Sequence, residues 1–122
     1  MLVHLVLFRP RPDLDAAARQ NLANALTAAL TQIPSVRRVR VGRRVMHGRG
    51  YEQAMRANYS HIAMLEFDDL GALQAYLQHP AHEQLATQFF AAFEEALMYD
   101  YDVGDGETAI RTIAGSATVA GS

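Results

Sequence analysis

Residues 2–8 read LVHLVLF, an apolar run of strand-forming side chains that only His4 interrupts and that Pro10 and Pro12 close. In an extended chain Leu2, His4, Val6 and Phe8 point one way and Val3, Leu5 and Leu7 the other. Both parities are apolar, the pattern of a strand covered on both faces. Residues 59–67, YSHIAMLEF, repeat it: Tyr59, His61, Ala63, Leu65 and Phe67 oppose Ser60, Ile62, Met64 and Glu66. A sheet built from these two strands has no face that tolerates water, and the rest of the chain has to supply two covers.

One cover is helical. Asp13 is placed to cap a helix, with Asp15 in its first turn. Leu14, Ala18, Leu22, Ala25, Leu26, Ala29 and Ile33 then recur at spacings of three and four up to Pro34. Residues 36–45, VRRVRVGRRV, alternate Val39, Val41 and Val45 with Arg38, Arg40 and Arg44, a half-exposed strand with Gly42 as a bulge position. Residues 46–58 read as a loop holding a helical turn. Asp68 or Asp69 caps a helix with Leu70, Leu73 and Leu77 on one face, and Pro80 restarts the axis for a helix over residues 81–96. Its apolar face is Leu85, Phe89, Ala92, Phe93 and Ala96, and residues 97–103, LMYDYDV, alternate as a last strand. Strand, helix, strand, strand, helix pair, strand is the order of a ferredoxin-like α+β sandwich, βαββαβ, with a four-stranded antiparallel sheet. Residues 1–103 form the domain, and residues 104–122 are a small, polar tail expected to be disordered or docked on a partner.

If Val3, Leu5, Leu7, Ile62 and Met64 pack on the helices, then His4, Val6, Phe8, His61, Ala63, Leu65 and Phe67 form the open face. That face is too apolar to stay wet, and the simplest cover is the same face of a second copy in a two-fold homodimer.

Composition removes several functions. The 122 residues carry a net charge of −2, which supplies no basic field for nucleic acid or an anionic membrane. There is no Cys, which excludes thiolate nucleophiles and thiolate metal sites, and no Lys, which excludes Schiff-base catalysis. The apolar run at the start is too short for a signal peptide or a membrane span, and the expectation is a cytoplasmic protein. Arg37, Arg38, Arg40, Arg43, Arg44 and Arg49 cluster enough charge to hold an anion, though a solvated strand face accounts for them better.

The histidines are the candidates for chemistry. His4 and His61 share the face of Phe8 and Ala63; His79 and His82 flank Pro80 in QAYLQHPAHEQL. His82, in the first turn of its helix, is held toward the neutral imidazole by the helix dipole, the form a general base requires. Asp100 is the candidate to orient it, and Tyr76 the candidate donor to a developing oxyanion. His79 reads as a helix cap, and a metal held by His79 and His82 lacks a carboxylate in register, so no metal and no cofactor is expected.

The segments VHLVLFR, YSHIAMLEFDD, LQAYLQHPAH and LMYDYDV resemble, in this order, the stress-responsive α/β-barrel domain family over residues 1–103. The resemblance implies a ferredoxin-like protomer whose homodimer pairs two sheets as a dimeric α+β barrel. One plant member of the family closes a linear polyketide, and its working residues correspond to His4, His61, Tyr76, His82 and the Asp100 position. The implied roles are His82 as base oriented by Asp100, Tyr76 polarising a carbonyl, and His4 and His61 holding the substrate. That member presents a tyrosine where this chain has Leu26, which implies a more apolar pocket end and puts the same substrate in doubt. Two functions of different class follow: a cofactor-independent cyclase or lyase acting on a hydrophobic keto compound, or a non-catalytic dimer that binds a small hydrophobic metabolite. A cofactor-free monooxygenase, known from the wider barrel superfamily, is a third.

Overall fold

A computed structural model describes residues 1–115. The elements are β1 (Leu2–Pro10), α1 (Ala16–Gln32), β2 (Arg38–Arg43), α2 (Gly50–Ala54), β3 (His61–Phe67), α3 (Leu70–Gln78), α4 (Pro80–Ala92), β4 (Phe93–Asp102) and α5 (Gly106–Ile113). The strands form one antiparallel sheet in the order β2-β3-β1-β4, a ferredoxin-like α+β fold.

Local chemistry sets the boundaries. Asp15, not Asp13, caps α1 by accepting from the Ala18 N–H at 2.8 Å, and Asp69 caps α3 by accepting from the Ala72 N–H at 2.9 Å. Asp68 is thereby free to take Arg37, whose Nη2 lies 2.8 Å from its carboxylate. Pro80 opens α4 at its first turn, and His79 is its cap, accepting from the Ala81 N–H at 3.0 Å. Helix α4 ends at Ala92, four residues earlier than its apolar periodicity implies. Phe93 instead enters β4 and packs against Phe89 and Phe8, with ring centroids 4.1 and 4.6 Å away. Here three aromatics in contact outweigh helical periodicity.

The division of side chains between the two sheet faces is the one expected from parity, but the helices cover the opposite face. Val6, Phe8, Ala63, Leu65 and Phe67 are buried with Leu22, Ala29, Leu73, Leu85 and Phe89 of α1, α3 and α4. His4 lies on the same side and is itself buried. Leu5, Leu7, Ile62 and Met64 line the open face instead, beside Leu97, Tyr99 and Tyr101 of β4. Because both faces of β1 and β3 are apolar, alternation identifies the two sets without saying which one the helices take. Residues 106–113, in the tail expected to be disordered or docked on a partner, form α5; residues 116–122 of that tail lie outside the described residues. Among the described residues no helix is long and apolar enough to cross a membrane.

Candidate functional site

A cavity of about 160 Å³ lies between the sheet and the helices. Its polar corner is made by three side chains on three elements: His4 from β1, Tyr76 from α3 and His82 from α4. The Tyr76 ring lies 4.7 Å from that of His82 and 6.0 Å from that of His4, centroid to centroid. The remaining walls are apolar: Val6, Phe8, Ala63 and Leu65 of the sheet, Leu26 and Leu30 of α1, Leu85 and Phe89 of α4. Met98 and Phe90, 44 and 73% exposed, stand where the cavity meets solvent.

The surroundings fix the state of each polar group. Burial lowers the pKa of His82 from the ordinary imidazole value of 6.5, and the nearby His4 lowers it further. A hydrogen bond to the backbone at Leu77 and the Glu83 carboxylate oppose that drop without reversing it. His82 is therefore a neutral imidazole at pH 7. Burial pushes the Tyr76 hydroxyl up to about 12, which keeps it a proton donor throughout the neutral range. Tyr76 is only 3% exposed, yet among the described residues no hydrogen bond is made to its hydroxyl. The ring is buried while the residue borders the cavity, so its hydroxyl is available to an oxygen placed there.

Asp100 does not orient His82. It pairs with His4, Nδ1 to Oδ1 at 2.6 Å. The reason is register: Asp100 stands directly opposite His4 in the β1–β4 ladder, and directly opposed residues share a face with Cβ atoms about 5 Å apart. The carboxylate holds the Nδ1 proton of His4 and leaves Nε2 as the uncommitted ring nitrogen. The first polar shell is thus two histidines and a tyrosine, with Asp100 acting through His4.

Of the other residues singled out from the sequence, Phe8, Ala63 and Leu26 line the cavity. His61 does not line it. It stacks on Phe8 at 5.4 Å with rings 15° apart, takes a hydrogen bond with the Ser60 hydroxyl at 2.8 Å, and faces a second depression beside Arg43. As the first residue of β3, directly opposite Phe8 and on its face of the sheet, it stands too near the strand end to reach the cavity and packs beside the Phe8 ring. Leu30, Leu77, Leu85, Phe89, Phe90 and Met98 also border the cavity. The three- and four-residue spacing of the helical ones is the signal that reveals them. No group of His, Asp and Glu able to hold a metal ion occurs among the described residues.

The chain is thus a ferredoxin-like α+β protomer with a His–Tyr–His corner in an otherwise apolar cleft. Residues 2–103 match the model of the Stress responsive A/B Barrel Domain, and the chain belongs to that family. Over 98 residues, 80% of this chain and 92% of the relative, it is 24% identical to olivetolic acid cyclase from Cannabis sativa. A hydroxynitrile lyase from Passiflora edulis superposes with a TM-score of 0.70 at 17% identity, over 85% of this chain and 94% of that one. A dimeric ferredoxin-like protein from Thermobifida fusca superposes with a TM-score of 0.64 at 18% identity, over 84% of this chain and 90% of that one.

Proposed function

We propose that the chain is a cofactor-independent enzyme of the cyclase or lyase kind, acting on a small hydrophobic keto compound. His82 removes a proton from the carbon beside the carbonyl. Tyr76 donates to the carbonyl oxygen as negative charge develops there, and the enolate carbon attacks a second carbonyl, whose oxygen takes back the proton held by His82. In the lyase direction His82 takes that hydroxyl proton and the same carbon–carbon bond breaks to release the enolate. The His4–Asp100 pair positions the substrate's second polar group through Nε2 of His4. The observation that carries this reading is that Tyr76, whose hydroxyl makes no hydrogen bond among the described residues, stands beside a neutral His82 in one cavity. A sequence relative is named a cyclase and a protein of the same fold a hydroxynitrile lyase, in keeping with that chemistry.

The cavity, about 160 Å³, is smaller than the ~300–1,000 Å³ typical of pockets for drug-sized ligands. The site therefore takes a compact keto compound, or a longer one whose tail leaves past Met98 and Phe90. The protein acts as a homodimer, with the open sheet face of Leu5, Leu7, Ile62, Met64, Leu97, Tyr99 and Tyr101 covered by a second copy. The dimeric description of the Thermobifida fusca neighbour supports that assembly.

The test is exchange of the α-protons of a panel of small β-diketones in deuterated buffer, followed by NMR. The wild type accelerates exchange for at least one of them. His82→Gln lowers that rate by about 100-fold or more, and Tyr76→Phe by roughly 10- to 100-fold. Wild-type exchange at the buffer rate for every ketone, or an unchanged rate in His82→Gln, leaves the non-catalytic metabolite-binding dimer as the better account.

A further inference from the structure

A second depression, of about 480 Å³, lies on the open face of the sheet. Its floor is apolar, with Leu7, Ile62, Leu97 and Met55, and its rim carries Arg43, Arg44 and Arg56. Arg44 is held by the Asn58 side chain at 2.7 Å, whereas Arg43 and Arg56 make no ion pair among the described residues. The groove lies at the sheet end where Phe8 pairs with His61 and with Ala96.

At the opposite end, where Leu2 pairs with Phe67 and Asp102, the chain leaves β4 and forms α5. This helix buries none of its residues, and Ile110 and Ile113, one turn apart, are 64 and 86% exposed. Its start is acidic, with Asp105 and Glu107. An amphipathic helix with a bare apolar stripe and an acidic end thus complements a groove with an apolar floor and a basic rim.

The two do not meet within this chain: no residue of α5 lines the groove. Six residue steps of β1, ~20 Å, separate the sheet ends. The Val103 N–H is tied to the Met1 carbonyl at 2.8 Å, and from there to Gly106 the chain extends by only ~11 Å. In a two-fold pair with open faces apposed and the axis running across the strands, each sheet end overlies the opposite end of the other sheet. We propose that α5 is an exchanged arm: it seats Ile110 and Ile113 in the Leu7–Ile62–Leu97 groove of a second copy, with Asp105 and Glu107 against Arg43 and Arg56. The inference rests on the homodimer proposed above and adds the element that locks it, from a segment beyond the residues that match the family model.

The chain has no cysteine, which makes cross-linking a clean test. Thr112→Cys and Met55→Cys are prepared separately, mixed, mildly oxidised and run on a non-reducing gel, with sedimentation reporting assembly. The expected product is a covalent dimer joining one variant to the other. Arg56→Glu slows its formation about tenfold at low salt, and Glu107→Arg in the other chain restores it. A protein that sediments as a dimer but does not cross-link, or a Thr112→Cys/Met55→Cys chain that closes on itself, overturns the arm and leaves the dimer standing. A monomer at micromolar concentration overturns the homodimer and the arm with it.

Discussion

His82, Tyr76 and His4 come from three elements, and each is set to a different task by its surroundings. The desolvation that keeps His82 neutral at pH 7 also links it to stability. Its folded pKa lies below the 6.5 of the free imidazole, so between those two values the unfolded chain binds a proton that the folded chain does not. Stability therefore rises with pH through that window and is lost as the pH falls from about 6.5. Urea titrations from pH 7 down to 5 are expected to show this loss, and His82→Gln to flatten it. A wild-type profile with the opposite slope contradicts a depressed His82. The sequence already placed His4, Tyr76 and His82 among the polar candidates. It did not reveal the partner of Asp100, although the pairing follows from parity once β4 is laid beside β1: His4 and Asp100 are direct cross-strand neighbours.

At the scale of elements, the caps and the strand edges decide where each segment stops. Asp69 is the clearest case, since its carboxylate accepts the Ala72 N–H and leaves the ion pair with Arg37 to its neighbour Asp68. Asp69→Ala is expected to cost about 1 kcal/mol in chemical denaturation, whereas Asp68→Ala, which breaks an exposed ion pair, costs well under that. Equal losses from the two substitutions overturn the assignment of the cap. Most elements were legible from periodicity and breakers. The helix-to-strand switch at Phe93 was not, because Phe93 continues the 85-89-92 helical spacing. Only the tertiary contacts with Phe8 and Phe89 pull it into the sheet.

At the scale of the whole molecule, a sheet apolar on both faces requires two covers, and α1, α3 and α4 supply one of them. That requirement was readable from residues 2–8 and 59–67; which face the helices take was not, because neither face carries a polar marker strong enough to choose. The outcome moves the site from the space between two sheets to the space between one sheet and its own helices. Leu5→Asp with Tyr99→Asp, on the open face and away from the cavity, is expected to yield monomers by sedimentation. The helix-side cavity stays intact in these monomers, and the His82 ring keeps its depressed titration. Loss of the fold rather than of the dimer goes against an intermolecular role for that face.

The most direct measurement is the pH dependence of α-proton exchange on the best β-diketone, recorded beside an NMR titration of the His82 ring. The account predicts that the exchange rate falls on the acid side with the same midpoint as the His82 titration, below 6.5, and that Tyr76→Phe lowers the plateau without moving that midpoint. An acid limb that ignores the His82 midpoint, or a His82 that titrates at 6.5 or above, contradicts His82 as the base.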